Sequence, residues 1–274
     1  MQIQSEILAE VIKKRPADSH KGTFGRSVLI GGDHHYGGAI IMAAAACINS
    51  GSGLTTVVTD EKNHAPLHAR LPEAMVLSFT EEDLLRETLQ TADVILIGPG
   101  LGLSAQSLSL LTLVLTQQQE NQWLIVDGSA ITLFAEEHLT LPYPKQTIFT
   151  PHQMEWQRLS GLTINQQTLE SSQEARDQLG AIIVAKSHRT TIFSDNPPLE
   201  NPLGTPAMAT GGTGDTLAGI ITGFLAQFPR NPRTIAAAVY LHSMIADDLA
   251  ADAYVVLPTH ISEELPKYLK RFEN

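Results

Sequence analysis

Cysteine is almost absent from this 274-residue sequence, which contains only Cys47. A single cysteine excludes an internal disulfide and a cysteine-rich metal site. Cys47 lies in the apolar segment AAAACI, residues 43–48. We therefore interpret it as a small buried hydrophobic residue rather than a catalytic thiol.

Charged residues are also scarce, and basic ones in particular. They form 17% of the chain, against about 25% in an average globular protein, so much of the chain must be buried. The 18 Lys and Arg residues are outnumbered by 29 Asp and Glu residues, which gives a net charge of −11. Such a surface repels nucleic-acid backbones and anionic lipids, so we expect neither as a partner. An anionic small ligand is still compatible with it, because local backbone amides can outweigh a distant net charge.

Long hydrophobic runs are missing as well. The longest, residues 39–48, is too short to cross a bilayer, and the N-terminus lacks the pattern of a signal peptide. We therefore expect a soluble, cytoplasmic protein. The N-terminal segment predicts an amphipathic helix whose apolar face contains Ile3, Ile7, Leu8, Val11 and Ile12. That apolar face favours a homo-oligomer.

Short apolar strands alternate with helical segments along the chain. The predicted strands are residues 27–31, 54–59, 93–98, 123–127, 181–186 and 190–194, and the predicted helices are 39–50, 104–119, 213–227 and 234–251. Uninterrupted apolar strands are typical of parallel sheets covered on both faces. The order predicts an α/β fold, a three-layer α/β/α sandwich with a mostly parallel central sheet. We interpret residues 195–206 as a structured loop and expect residues 1–274 to form one domain.

The strongest chemical signal is the segment TGGTGDT, residues 210–216, which precedes an apolar helix. Glycines let backbone amides approach a ligand, and a helix N-terminus adds partial positive charge, so the segment predicts a phosphate site. Asp215 would lie in the first turn, where its carboxylate could take the proton from a hydroxyl that attacks the phosphate. The alternative is structural: Asp215 stabilises the helix dipole, and Thr213 is the N-cap.

Two other segments are less specific. Residues 98–102, GPGLG, follow a predicted strand but lack the third glycine of a dinucleotide fingerprint, and residues 210–216 lack the lysine of a P-loop. Residues 98–102 are therefore either a tight connection or a ligand-binding turn. The neighbours His34 and His35 are better explained as exposed loop residues than as metal ligands.

Residues 150–155, TPHQME, combine a structural and a chemical signal. Thr150, Pro151 and Gln153 predict a capping box at the start of a helix. His152 and Glu155 would then share one helix face, where they could meet a ligand or a metal-bound water.

Together these motifs resemble those of the ADP/ATP-dependent NAD(P)H-hydrate dehydratases, a family of the ribokinase-like superfamily. The matching segments follow one another over most of the chain: KGTFG (21–25), IGG (30–32), YGGA (36–39), SGSGL (50–54), GPGLG (98–102) and TPHQME (150–155). The most specific is NPLGTPAMATGGTGD (201–215), and AVYLHSMIADDLA (238–250) is similar to the family's last long helix.

The resemblance implies a ribokinase-like fold and a repair enzyme that acts on NADHX and NADPHX, the hydrated forms of the reduced nicotinamide cofactors. ADP or ATP, with Mg²⁺, would phosphorylate the hydroxyl of the hydrate, and phosphate would then leave to restore the double bond. Phosphate is a far better leaving group than hydroxide. The resemblance also implies a homotetramer and a chain without the epimerase domain that many relatives carry.

Two other functions would use the same anion site. A ribokinase-like kinase, for instance for a vitamin precursor, would share Asp215 but accumulate a phosphorylated product. A non-catalytic nucleotide-binding protein would be expected to lack Asp215.

Position by position, the resemblance implies that Asp215 is the catalytic base. The residues that match contacts to the hydrated cofactor are Ala39, Gly102, His152 and Asp215. The nucleotide contacts would come from Lys186, Ser187, His188, Arg189 and Thr190, and from Gly211, Gly212, Thr213 and Gly214. Glu155 resembles the acid that orients magnesium through water.

Two positions depart from the family pattern. Ser129 stands where the family usually has a second acid shortly after the position of Asp127. Ser187 stands where the family usually has glycine after the lysine. The second departure bears on the conformation of the nucleotide loop rather than on its location.

Overall fold

A nine-stranded sheet forms the middle layer of the protein, which a computed structural model describes over residues 1–274. The strands are β1 (Arg26–Ile30), β2 (Leu54–Thr59), β3 (Met75–Ser78), β4 (Val94–Ile97), β5 (Trp123–Val126), β6 (Thr147–Phe149), β7 (Ile182–Ala185), β8 (Thr191–Phe193) and β9 (Leu199–Glu200). They lie in the order β3-β2-β1-β4-β5-β6-β7-β8-β9. The first seven strands of the chain are parallel, and β8 and β9 add an antiparallel edge.

Eleven helices cover the sheet on both faces. They are α1 (Glu6–Val11), α2 (Gly37–Asn49), α3 (His64–Arg70), α4 (Glu82–Gln90), α5 (Ala105–Gln117), α6 (Ser129–Glu136), α7 (Gln153–Ser160), α8 (Leu169–Leu179), α9 (Thr213–Gln227), α10 (Pro232–Ala250) and α11 (Pro258–Phe272). None of them combines the length and the apolar character that crossing a membrane requires.

Two separate hydrophobic cores lie on the two faces of the sheet. Successive residues of β4 show why: Val94 and Leu96 belong to one core, and Ile95 and Ile97 to the other. Because side chains alternate along a strand, a strand buried on both faces must be apolar throughout. Helices α1, α2, α3, α9, α10 and α11 pack on the first core, and α4 to α8 on the second. The predicted three-layer sandwich is confirmed.

The predicted strands and helices are present within a few residues of their predicted ends, but three strands were not predicted. β3 is a partly exposed strand at one edge, and β6 has only three residues. The prediction that residues 195–206 form a loop is wrong in part, because β9 lies within them. These strands are too short or too exposed to show a clear apolar pattern.

The N-terminal segment differs from its prediction in one respect. Only Glu6–Val11 is helical, and Ile3 lies in an extended segment whose amide donates to the Glu200 carbonyl of β9 at 2.9 Å. The apolar side chains of the segment are buried in the core of their own chain. This face therefore supplies no exposed surface for an oligomer.

Candidate active site

The loops at one edge of the sheet bring the segments of interest together. The loops that follow β1, β4, β6 and β7 share this edge, because these strands are parallel and ligands bind at their carboxyl ends. The first two loops are joined by hydrogen bonds from the Gly32 amide to the Pro99 carbonyl at 2.8 Å and from the Asp33 amide to the Gly100 carbonyl at 2.7 Å. Ala39 lies in the first turn of α2, directly after the first of these loops, and Gly102 lies in the second.

Helix α9 reaches the same edge because it packs closely on α2. At Gly219 a Cβ atom would lie 2.1 Å from the Ala43 carbonyl oxygen, so only glycine permits this approach. Gly212, also against α2, is the N-cap of α9 and has a left-handed backbone. The prediction that Thr213 is the N-cap is wrong. Its hydroxyl instead donates to the Met208 carbonyl at 2.8 Å and to the Thr210 carbonyl at 3.0 Å.

Asp215 lies in the first turn of α9 and is partly buried. Its pKa is raised from 3.8 to about 6, first by burial and then by the charge of Asp127. The ammonium of Lys186 and a backbone hydrogen bond oppose the rise. A carboxylate with a pKa close to neutral is well matched to general-base chemistry, because it is ionised yet basic enough to accept a proton.

A partly buried ion pair stands beside Asp215. Lys186 Nζ, after β7, lies 2.7 Å from Asp127 Oδ1, after β5, and the Thr150 hydroxyl donates to the same oxygen at 2.5 Å. Burial lowers the pKa of Lys186, but the surrounding carboxylates, Asp127 foremost, outweigh burial, and the net pKa is raised. Lys186 is therefore a fixed positive charge in this site. Sequence reasoning did not assign Asp127 a role, although an acid at the end of a buried strand was its signal.

His152 and Glu155 cap each other at the start of α7. The His152 amide donates to Glu155 Oε2 at 2.8 Å, and His152 Nδ1 accepts from the amides of Met154 and Glu155 at 3.1 and 3.3 Å. The predicted capping box on Thr150, Pro151 and Gln153 is therefore wrong. His152 and Glu155, which the sequence suggested as contacts to a ligand or a metal-bound water, form the capping box instead. The Thr150 hydroxyl donates a hydrogen bond to Asp127.

A cavity of about 750 Å³ opens beside the start of α9. Seven of the predicted nucleotide residues border this cavity: Lys186, Ser187, His188, Arg189, Thr190, Thr213 and Gly214. The other two, Gly211 and Gly212, do not border it. Lys186 and Arg189 border the cavity, whereas none of the bordering residues is Asp or Glu. In a chain with a net charge of −11, a cavity with this lining is suited to an anionic ligand. Sequence reasoning missed the residues that α10 contributes, Val239, His242 and Ser243.

The loop at residues 186–190 does not require glycine at position 187. Ser187 has no left-handed backbone, and its hydroxyl donates to the Arg189 carbonyl at 2.7 Å and accepts from the Arg189 amide at 3.1 Å. The serine therefore stabilises the loop through local hydrogen bonds. Ser129, at the other departure, is the first residue of α6.

The acidic residues of the site suit a magnesium ion that is coordinated mainly by water and phosphate oxygens. No group of three or more His, Cys, Asp or Glu side chains is arranged to hold a metal ion. Glu155 is buried, and its carboxylate already accepts a backbone hydrogen bond. Mg²⁺ usually takes one or two carboxylates and completes its shell with water and phosphate oxygens. The residues present fit such an ion at a nucleotide.

Comparisons with known proteins find similar sequences and folds over most of the chain. The family model of the NAD(P)H-hydrate dehydratases matches residues 27–267. The ADP-dependent (S)-NAD(P)H-hydrate dehydratase of Enterococcus faecalis is 63% identical over 270 residues, which cover 98% of this chain and 93% of that protein. A ribokinase-like superfamily protein of known structure from the same species superposes with a TM-score of 0.98 at 62% identity, over 99% of this chain and 96% of that one. The ADP/ATP-dependent NAD(P)H-hydrate dehydratase of Bacillus subtilis, co-crystallised with ATP/Mg²⁺, gives a TM-score of 0.86 at 31% identity, over 98% of both chains.

Proposed function

The chain belongs to the NAD(P)H-hydrate dehydratase family, and from this premise we propose that it repairs NADHX and NADPHX with ADP or ATP as phosphodonor. Two relatives that are 63% and 54% identical to this chain are named ADP-dependent (S)-NAD(P)H-hydrate dehydratases, and the Bacillus subtilis enzyme is named for both nucleotides. The activity is that of a lyase, because the net reaction removes water across a carbon–carbon bond. The observation that carries the mechanism is the position of Asp215 in the first turn of α9, directly after Gly214 and beside an acid-free cavity bordered by Lys186 and Arg189.

The proposed reaction has two steps. Asp215 takes the proton of the hydrate's hydroxyl as the hydroxyl oxygen attacks the terminal phosphorus, and AMP leaves from ADP, or ADP from ATP. The phosphate ester then loses inorganic phosphate, and the neighbouring carbon loses a proton, which restores the double bond. The first step releases AMP or ADP and the second releases inorganic phosphate, and both are stable leaving groups. Direct dehydration would instead have to release hydroxide, which is a poor leaving group.

The charges of the site support this sequence of steps. Lys186 supplies a fixed positive charge beside Gly214, at the start of α9, where phosphate would meet the free amides of the helix. Mg²⁺ would be held by the phosphates and, through water, by Glu155, and it would neutralise phosphate charge. Ala39, Gly102 and His152 are proposed to contact the hydrated nicotinamide half, since the joined loops and α7 border the same edge of the sheet.

A nucleotide-dependence assay tests the proposal. Protein shown to be free of bound nucleotide is mixed with NADHX and Mg²⁺, with and without ADP or ATP. We expect NADH, inorganic phosphate and AMP to appear in equal amounts with ADP, and ADP to replace AMP when ATP is supplied. NADH formation without nucleotide would contradict the phosphorylation step, and a phosphorylated product that accumulates without NADH would indicate a kinase.

Assembly and location are part of the same proposal. We propose a homotetramer in the cytoplasm, formed by chains that each fold residues 1–274 as one domain. The support is family resemblance alone, since the apolar face of α1 is buried within its own chain. A monomeric mass in light scattering at micromolar concentration would refute the tetramer.

A further inference from the structure

The loop between β1 and α2 is held by a residue that has no part in the proposed chemistry. Asn63 lies after β2, directly before α3, and is 8% exposed. Its Nδ2 atom donates to the Gly32 carbonyl at 2.7 Å and to the Thr59 hydroxyl oxygen at 2.9 Å. The Thr59 hydroxyl in turn donates to the Gly32 carbonyl at 2.8 Å. Two side chains from the end of β2 and the turn after it therefore bind the same carbonyl of this loop.

Asn63 also touches the other end of the loop. Gly37, the first residue of α2, packs so closely on the carboxamide that a Cβ atom added there would collide with Asn63 Oδ1. Between these two ends, Asp33 Oδ1 accepts hydrogen bonds from two amides of the loop at 2.8 and 3.0 Å. One carboxamide therefore contacts both ends of a turn that Asp33 closes from inside.

The position of this loop affects both backbone positions that we propose as contacts to the hydrated nicotinamide. Ala39 directly follows the loop, in the first turn of α2. Gly102 lies against Asp33, because a Cβ atom added at Gly102 would collide with Asp33 Oδ2. The amides of Gly32 and Asp33 also hold the loop after β4 through the hydrogen bonds described above. A displacement at Gly32 would therefore move both contacts.

We propose that Asn63 is a positioning residue for the hydrated nicotinamide substrate, because its carboxamide holds the loop that presents Ala39 and Gly102. The amide nitrogen has two hydrogens and meets two acceptors, so its hydrogen-bonding capacity is fully used. A side chain that cannot donate would leave the Gly32 carbonyl with one partner fewer. The inference rests on the proposed function, because Ala39 and Gly102 are contacts proposed there.

The nucleotide cavity provides an internal reference for this role. None of the residues that border it belongs to the loops at 31–38 and 98–102 or to the turn that carries Asn63. Loss of the Asn63 hydrogen bonds should therefore impair the use of NADHX and spare the use of ADP. A role in stability alone would leave the kinetic constants of the folded enzyme unchanged for both substrates.

The test uses the full-length enzyme and Asn63→Asp, which keeps the shape of the side chain but has no donor when ionised. The matched control is Gln122→Glu, at the opposite edge of the sheet directly before β5. Gln122 is fully buried, and its Nε2 atom donates to the carbonyls of Leu89 and Ala92 at 2.6 and 2.8 Å. Both substitutions therefore remove two hydrogen bonds of a buried carboxamide. Thr59→Val, which removes only a hydroxyl, is the milder second variant.

For Asn63→Asp we expect kcat/KM for NADHX to fall about tenfold or more, with the KM for ADP within about twofold of the parent. Thr59→Val should lower the same constant by a smaller factor, and Gln122→Glu should leave both constants at parental values. A parental kcat/KM for NADHX in Asn63→Asp, an equal loss in Gln122→Glu, or an equal rise in the KM for ADP would each overturn the inference. If Asn63→Asp does not fold, Thr59→Val decides by the same comparison.

Hydrogen exchange without substrate separates this inference from the proposed function. Peptides that contain residues 31–39 and 98–102 should exchange faster in Asn63→Asp than in the parent, and at the parental rate in Gln122→Glu. If the parent forms no NADH, the proposed function fails, and parental exchange in Asn63→Asp would still overturn the role of Asn63. If the parent turns over NADHX and Asn63→Asp does so equally well, positioning by Asn63 fails while the proposed function stands.

Discussion

Replacing Asp215 with asparagine should abolish most of the activity while making the protein more stable. The variant keeps the size of the side chain but loses the base, so we expect turnover at saturating NADHX and nucleotide to fall by about 10²–10⁴. In the parent, kcat/KM should rise with pH around the pKa of about 6, since only the ionised carboxylate accepts a proton. That rise should be missing from the residual activity of Asp215→Asn.

The stability effect follows from the same pKa. Because Asp215 has a pKa of about 6 when folded and 3.8 ordinarily, the folded state binds more protons than the unfolded state between these values. Stability therefore falls as the pH rises from about 4 to about 6 and stays lower above it. The difference corresponds to at most about 3 kcal/mol, because solvent reaches part of the side chain.

Urea unfolding at pH 8 and at pH 4 measures this effect. We expect the free energy of unfolding of Asp215→Asn to exceed that of the parent by about 1–2 kcal/mol at pH 8, and by little or nothing at pH 4. The matched control is Asp83→Asn, an exposed acid in the first turn of α4, which should lose about 0.3–1 kcal/mol. Turnover of Asp215→Asn within a few-fold of the parent would refute the assignment of Asp215 as the general base. A loss of stability like that of Asp83→Asn would refute the inference that the folded protein holds the charge of Asp215 at an energetic cost.

Two further predictions concern the residues around the site. Lys186→Met should lower the free energy of unfolding by about 3–5 kcal/mol, because it leaves the buried carboxylate of Asp127 without its cationic partner. Lys267→Met, which breaks an exposed ion pair, should lower the free energy of unfolding by less than about 1 kcal/mol. Equal effects of the two substitutions in urea unfolding would contradict this prediction. Gly98→Ala should lower the free energy of unfolding by about 3 kcal/mol or more. The backbone at Gly98 is left-handed (φ 131°), and a Cβ atom there would lie 1.7 Å from the Asp127 carbonyl oxygen. Gly38→Ala, in a helix with free space around it, should instead stabilise by about 0.5–1 kcal/mol, and a thermal unfolding series in which both substitutions destabilise would contradict this reading.

Local capping preferences misled the sequence interpretation at two helices. Threonine is a common N-cap, so the sequence predicted Thr150 at the start of α7 and, in the structural alternative for Asp215, Thr213 as the N-cap of α9. The structure uses His152 and Gly212 instead. The reason is tertiary, at least for Thr150, whose hydroxyl bonds to Asp127, a residue 23 positions away that no local pattern could associate with it.

The sequence by itself determined the layered fold and predicted where a phosphate site would lie. Strands such as VILI in β4 are apolar at every position, which only burial on both faces explains, and three glycines before an apolar helix mark an anion site within seven residues. Both signals are local, so they can be read without knowing what lies nearby in space. Resemblance to a family added the residues that we propose for the reaction.

Only the tertiary structure decided the electrostatics of the site. Lys186 and Asp127 are 59 residues apart in the chain yet 2.7 Å apart in space, and His242 meets the cavity from α10. Composition predicts an acidic surface, but the pKa of Asp215 depends on burial and on which charges face it. A pKa responds to distances of a few ångströms and to the exclusion of water, and both arise only when segments distant in sequence pack together.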